Sequence, residues 1–303
     1  MKWLRSLLII VVMGICSLTH AQTAEELRST VEYLASQELR GRATATKDIQ
    51  KAQDWIVARC QEAGLQVQRQ TVPTPRGKCQ NVIAWIEGSD PTQVVVIGAH
   101  LDHIGVRNRR VYPGADDNAS GSAAVLGLAK RFAAGTQPAF TIAFQWYTGE
   151  EINPYLVGSK YYVKNPTLPV GDPDIDQHIV MLNIDMIGHL KKKYATDVDV
   201  DSLLETLFPK YPFAKSITFK RNSGSDQVSF DNGGVPVAFL HTGTAFGTYH
   251  KTTDKPDTLN YRGMEAICNF AYDFINLIVA QDVPPDYIIW SLGERPEIGR
   301  AHV

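Results

Sequence analysis

Residues 93–121, QVVVIGAHLDHIGVRNRRVYPGADDNASG, constrain the fold more than any other stretch of the chain. Val94, Val95, Val96 and Ile97 are β-branched and leave no wet face, the pattern of a strand buried on both sides of a parallel sheet. The run breaks at Gly98 and delivers His100 and Asp102 to the C-terminal end of the strand. Open α/β sheets bind ligands at that edge. After a polar, hairpin-like excursion through Arg107, Asn108, Arg109 and Arg110, the chain returns as GADDNASG. Asp116, Asp117 and Asn118 then stand ahead of an apolar run that predicts a helix over 120–134. An imidazole and a carboxylate cluster at one sheet edge are the layout of a metal site.

The flanking segments supply the rest of an α/β fold. Leu27, Val31 and Leu34 predict a helix over 23–34. Ile49, Ala52, Trp55, Ile56 and Cys60 predict another over 46–63, ended by Gly64. Strands follow over 66–70 and 81–86, with a Pro/Gly-rich loop at 73–77 between them. Beyond the predicted helix 120–134 come a strand over 140–147, a helix over 156–164, and a strand over 179–184. A short strand near Ile217, a loop SGSDQVSFDNGG, a strand over 236–240 and a long helix over 258–279 complete the series. This alternation predicts one three-layer domain over 22–280, with a mainly parallel mixed central sheet and helices on both faces. Residues 281–303 read as a tail across the surface.

The first 21 residues read as an export signal rather than as fold. Lys2 and Arg5 precede an apolar run over 7–16, and Thr19-His20-Ala21 suits cleavage. The run is too short to span a bilayer, so no stable membrane insertion is expected after cleavage. Ile15 stands where a lipoprotein site needs a small residue before Cys16, so the expectation is a periplasmic or secreted protein. Of Cys60, Cys79 and Cys268 at most one pair can form, and buried free thiols are the default. A net charge of −2 over 303 residues lacks the basic excess of a nucleic-acid binder.

Strand-end loops present His100, Asp117, Glu150 with Glu151, and Asp185, and a fifth loop presents His250. Singly, each has a plain reading: a satisfied polar residue, a helix cap, a solvated loop. Converging on one edge, they form an oxygen and nitrogen donor set without thiolate, which suits Zn²⁺, with Co²⁺ and Mn²⁺ as other occupants. Ser120 lies outside any G-x-S-x-G elbow and reads as a helix cap. There is no H-E-x-x-H and no phosphate-binding loop. His103, His178, His189 and His241 are assigned no ligand role, and His189 reads as structural.

GAHLD, GADDNASG, GEE, NIDMIG and YHKTTD, in that order, with LRGRATAT before them and HTGTAF late in the chain, resemble the exported di-zinc aminopeptidases of the twenty-eighth metallopeptidase family. Glutamate carboxypeptidase, the catalytically silent transferrin receptor and the animal glutaminyl cyclases are related to these enzymes. The resemblance implies a zinc-peptidase/phosphorylase-like fold, two Zn²⁺ per chain and a peptide substrate. It implies His100 and Asp185 on one zinc, Glu151 and His250 on the other, and Asp117 bridging both. Glu150 would be the general base, free to take a proton from water because it binds no metal. Asp102 would orient His100, and Asp254 would act likewise near His250. A cis peptide is implied at Asp117–Asn118.

Polarity of attack is less constrained. Counting the ligand carboxylates, Glu150 and a bound hydroxide against two zinc ions leaves a slightly negative pocket, which favours a free α-ammonium and hence an aminopeptidase. Arg107, Arg109 and Arg110 could instead hold a C-terminal carboxylate if they turned inward, making a carboxypeptidase or dipeptidase. A glutaminyl cyclase would work with one zinc. A non-catalytic relative would have no reason to keep Glu150 beside every ligand.

Overall fold

The strands carrying the candidate residues run parallel, so their C-terminal ends meet along one edge. A computed structural model of the protein describes residues 22–168, 174–190, 210–211, 224–244 and 247–279. In chain order its strands are β1 (Gln66–Thr74), β2 (Gly77–Ile86), β3 (Asp90–His100), β4 (Gly105–Arg107), β5 (Arg110–Tyr112), β6 (Phe140–Tyr147), β7 (His178–Ile184) and β8 (Val237–Leu240). Six of them form one sheet in the order β1-β2-β6-β3-β7-β8, and β4 and β5 form a separate hairpin. The pairs β3–β6, β3–β7 and β7–β8 are parallel, whereas β1–β2 and β2–β6 are antiparallel. The sheet is mixed and mainly parallel, as the sequence predicts.

Helices cover both faces. Helices α1 (Ala24–Leu34), α2 (Lys47–Glu62), α3 (Gly121–Ala133) and α6 (Tyr261–Val279) pack on one face; α4 (Val157–Lys164) and α5 (Gln227–Asn232) lie on the other. Strand β3 divides its side chains between the two cores. Val95, Ile97 and Ala99 enter the larger, and Val94 and Val96 the smaller, all fully buried. Each buried Val or Ile stabilises the fold by about 1.5–3 kcal/mol relative to exposure. Helix α6 offers the larger core a stripe of Met264, Ile267, Ala271, Phe274, Ile275 and Ile278, the helical period that sequence reading uses.

Helix starts follow their capping chemistry. The Thr23 hydroxyl accepts from Glu26 N, and the Glu26 carboxylate accepts from Thr23 N, a reciprocal capping box. Thr46 caps α2 at Ile49 N, and Gly64 follows that helix with φ +79°.

Three expectations are corrected. Strands β1 and β2 continue past their predicted ends, and Thr74 pairs with Gly77, leaving a turn of only Pro75 and Arg76. Pairing carries these Gln- and Thr-rich stretches along, and β1 is an edge strand, where Pro73 is tolerated. The predicted loop SGSDQVSFDNGG contains α5, anchored by fully buried Phe230 and ended where Gly233 N donates to Ser229 O and Phe230 O. Ser120 does not cap α3: its hydroxyl donates to Asp116 O at 2.7 Å and accepts from Ile187 N at 3.1 Å.

Cys60, Cys79 and Cys268 are free and buried. No helix among the described residues is long and apolar enough to cross a membrane. The expected export signal over 1–21, the expected strand near Ile217 and the expected tail over 281–303 lie outside the described residues.

Candidate active site

Parallel strand ends bring His100, Glu150, Glu151 and Asp185 together, and two loops complete the cluster. His100 ends β3, Asp185 follows β7, and the Glu150–Glu151 turn follows β6. Asp117 arrives in a π-helical turn, Ala115–Ser120, that leads into α3. A Cβ on Gly121 would lie 2.1 Å from Ile184 O, so the bare glycine lets α3 begin against the end of β7. The Asp117–Asn118 peptide is cis. Asn118 secures the turn: its Nδ2 donates to Ile184 O, and its Oδ1 accepts from Gly121 N.

Asp117 faces two histidines with different oxygens. His100 Nε2 is 3.3 Å from Asp117 Oδ1 and 3.4 Å from Asp185 Oδ1. His250 Nε2 is 3.2 Å from Asp117 Oδ2 and 3.2 Å from Glu151 Oε2. Ligands about 2.0–2.2 Å from a tetrahedral zinc sit about 3.3–3.5 Å from one another. The spacings are therefore those of two donor sets sharing one carboxylate. Asp117 Oδ2, Glu151 Oε1 and Asp185 Oδ1 are buried without a hydrogen-bond partner, an expensive state that a bound cation would relieve. The residues fit zinc.

Asp116 points elsewhere. Its Oδ1 accepts from Gly188 N at 2.8 Å, and its Oδ2 lies 3.5 Å from His189 Nε2. His189 thus belongs to the support of this turn. The two expected orienting carboxylates also act differently from expectation. His100 Nδ1 donates to the main-chain oxygen of Asp102 at 3.0 Å and is 4.0 Å from its carboxylate. That carboxylate accepts instead from Glu150 N and Glu151 N. Asp254 accepts from Asp116 N and Asp117 N and so holds the Asp117 turn, not the His250 ring.

His103, given no ligand role from sequence, is fully enclosed with Nδ1 2.8 Å from Glu151 Oε1. It faces the oxygen of Glu151 that His250 does not, without hydrogen-bond geometry, and with Asp117 and Glu151 it forms a group that could itself hold a cation. The H-L-D-H spacing at the end of β3 was the available signal. His250 is partly exposed and stacks on Tyr249, ring centroids 3.8 Å apart.

These groups set one another's protonation in the absence of metal. Burial disfavours a charged His100, yet Asp185 and Asp117 hold its pKa well above the usual value. Burial likewise opposes charge on His250, but Asp117 and Glu151 raise it to about 10. Burial pushes Glu150 up to about 9, with Asp226, Asp185 and Glu151 adding to the effect and His100 opposing it. Both imidazoles therefore carry protons near neutral pH, so a metal bound by them would have to displace those protons and its affinity would fall as pH falls. Filling both positions near pH 7 should release at least the two imidazole protons per chain, with Glu150 able to add a third, and each should make affinity change about tenfold per pH unit. Zinc calorimetry in buffers of different ionisation enthalpy measures the number; a buffer-independent enthalpy would refute it.

Glu150, His100, Asp117 and Asp185 open onto a cavity of about 300 Å³ whose other walls include Met186, Ser225, Phe239, His241 and Tyr249. His241, also given no role from sequence, is held by its Nδ1, which donates to Asp185 O at 3.0 Å. Arg107, Arg109 and Arg110 stand exposed on the β4–β5 hairpin and do not line this cavity.

A model of peptidase family M28 matches residues 81–275. Leupeptin-inactivating enzyme 1 of Streptomyces exfoliatus is 32% identical over 251 residues, covering 79% of this chain and 54% of that protein. A probable leucine aminopeptidase of Arthroderma otae is 33% identical over 205 residues, covering 61% of this chain and 56% of its own length. The chain thus spans a little over half the length of these relatives. In fold it resembles the glutaminyl cyclase of Porphyromonas gingivalis, with TM-score 0.71, 18% identity, and 85% and 99% of the two chains covered. It also resembles an aminopeptidase from Aneurinibacillus sp. strain AM-1, with TM-score 0.68, 15% identity, and 86% and 94% covered.

Proposed function

Because the chain belongs to peptidase family M28, we propose that it is an exported, zinc-dependent aminopeptidase that removes N-terminal residues from peptides. The observation that carries this reading is the pair of donor sets sharing Asp117. His100, Asp117 and Asp185 would hold one zinc, and His250, Asp117 and Glu151 the other. Two zinc ions there would supply Lewis-acid polarisation of the scissile carbonyl and lower the pKa of water. A glutaminyl cyclase would need only one of the sets. Export rests on the leader read over residues 1–21.

Glu150 is the general base: burial keeps its carboxyl protonated near neutral pH, and cations in the two neighbouring donor sets would lower its pKa and ionise it. Its backbone N–H is pinned to Asp102 Oδ1 at 3.2 Å, and its side chain lines the cavity without entering either donor set. It takes the proton of the attacking water and passes it to the leaving amine. Asp102 holds the backbone of both glutamates, while His103 and His250 face Glu151 alone, so adjacent carboxylates can perform different tasks.

N-terminal attack is favoured by the surroundings of the cavity. Its described walls hold carboxylates and no arginine, so they attract an α-ammonium and give a C-terminal carboxylate no guanidinium fork. The relatives named as leucine aminopeptidases point the same way. Peptides with a free N-terminus should be shortened from that end, and N-acetylation should abolish turnover. Arrest by C-terminal amidation, with a raised KM for Arg109→Ala or Arg110→Ala, would establish the carboxypeptidase reading instead. Cyclisation of N-terminal glutamine without hydrolysis would establish a cyclase.

A further inference from the structure

The segment after α1 runs against the loops that bear the candidate ligands in an unusual conformation. Arg40, Gly41, Arg42 and Ala45 all have positive φ, at 45°, 74°, 50° and 61°. Left-handed backbone at a non-glycine residue is strained and persists only where surrounding structure imposes it. Gly41 is pressed against the β4–β5 hairpin, where a Cβ would lie 2.2 Å from Tyr112 O.

Two side chains from this segment reach the loops that bear the candidate ligands. Arg42 is completely buried, and its guanidinium donates only to main-chain oxygens. Nε reaches Leu101 O at 2.9 Å, Nη1 reaches Leu34 O at 2.5 Å and Pro113 O at 2.7 Å, and Nη2 reaches Gly114 O at 2.9 Å. Leu101 directly follows His100, and Gly114 lies three residues before Asp117. One planar cation therefore sets the separation of the two loops that share a donor set. Thr44, also buried, donates to Asp102 Oδ2 at 2.5 Å. The same Asp102 carboxylate accepts from Glu150 N at 3.2 Å and Glu151 N at 3.4 Å.

We propose that residues 40–45 are a positioning element for the metal centre. In it Arg42 fixes the spacing of the His100 and Asp117 loops, and Thr44 aims the Glu150–Glu151 turn through Asp102. The proposal rests on the zinc reading above but adds residues that touch neither metal nor substrate. A planar fork is required at position 42, because its four acceptors surround a guanidinium and a lysine ammonium is a point donor. At position 44 the hydroxyl is what matters, since without it Asp102 Oδ2 keeps only the longer bond from Glu151 N at 3.4 Å and the carboxylate is held less firmly.

The test is zinc affinity by chelator competition on the full chain, paired with the visible spectrum of the Co²⁺-substituted protein, which reports ligand geometry. Thr44→Val preserves shape and should bind zinc 10–100-fold more weakly, the usual cost of losing a residue that orients a ligand. Its Co²⁺ spectrum should change, while near-ultraviolet circular dichroism of the metal-free protein stays that of wild type. Thr44→Ser restores the hydroxyl and should restore affinity and spectrum. Arg42→Lys keeps the charge and should still lose affinity. Wild-type zinc binding in Thr44→Val, or equal losses in Thr44→Val and Thr44→Ser, would overturn the proposal. The threonine pair decides even if Arg42→Lys does not fold. Wild-type protein that binds no zinc would instead refute the underlying metal assignment.

Discussion

Glu150→Gln is expected to keep both zinc ions and nearly normal KM while kcat falls by about 10²–10⁴, the usual worth of a positioned general base. The amide has the size of the carboxylate, and the main-chain bond from residue 150 to Asp102 Oδ1 is untouched by the change. What is lost is the ability to take a proton. Glu151→Gln should fail differently. Glu151 Oε2 faces His250 and Oε1 faces His103, so the amide presents a neutral donor set and one misplaced N–H. Its first defect should be weak binding of a single zinc, partly rescued by excess metal. Loss of metal in Glu150→Gln, with metal retained and turnover lost in Glu151→Gln, would reverse the two roles. Full activity in both would remove the hydrolase assignment.

Asp117→Ala is expected to abolish high-affinity zinc binding at both positions and, with it, detectable turnover. The residue contributes Oδ1 to the set containing His100 and Oδ2 to the set containing His250. Removing it leaves two donors at each position, short of the three protein ligands usual in catalytic zinc sites. Asp116→Ala serves as the neighbouring control. Its carboxylate accepts from Gly188 N, so the substitution should cost about 1–3 kcal/mol of stability by stranding a buried donor, with both zinc ions retained. One zinc held by Asp117→Ala at wild-type affinity would show that the carboxylate does not bridge.

Strand β3 was legible because its apolar run has no competing helical period, and burial on both faces is what such a run needs. β1 and β2 were legible only in part. Their outer residues are Gln, Thr, Lys and Pro, and only pairing with the partner strand keeps them extended. Helix α5 is missed because four of its six residues, Gln227, Ser229, Asp231 and Asn232, are polar and leave no periodicity to read; Phe230 fixes it by tertiary burial.

The candidate ligands could be collected from sequence because each ends or follows an element whose direction the strand–helix alternation sets. Their supports could not. Asp254 secures the Asp117 turn across 137 positions of chain, through backbone N–H groups that no side-chain motif advertises. The family resemblance implies Asp102 as a partner of the His100 ring, but its carboxylate is turned toward the Glu150–Glu151 turn. Arg42 and Thr44 lie about sixty residues before the loops they touch. Residues that bind through identity leave a signature in sequence, whereas those that bind through main-chain geometry appear only once the chain is folded.

Zinc titrated into metal-free protein, with turnover of a free N-terminal peptide followed at each addition, tests the di-metal account most directly. Activity should climb to its plateau only as the second equivalent per chain is bound, and bound zinc should saturate at two. Full peptidase activity at one equivalent, with no second tightly bound ion, would contradict it.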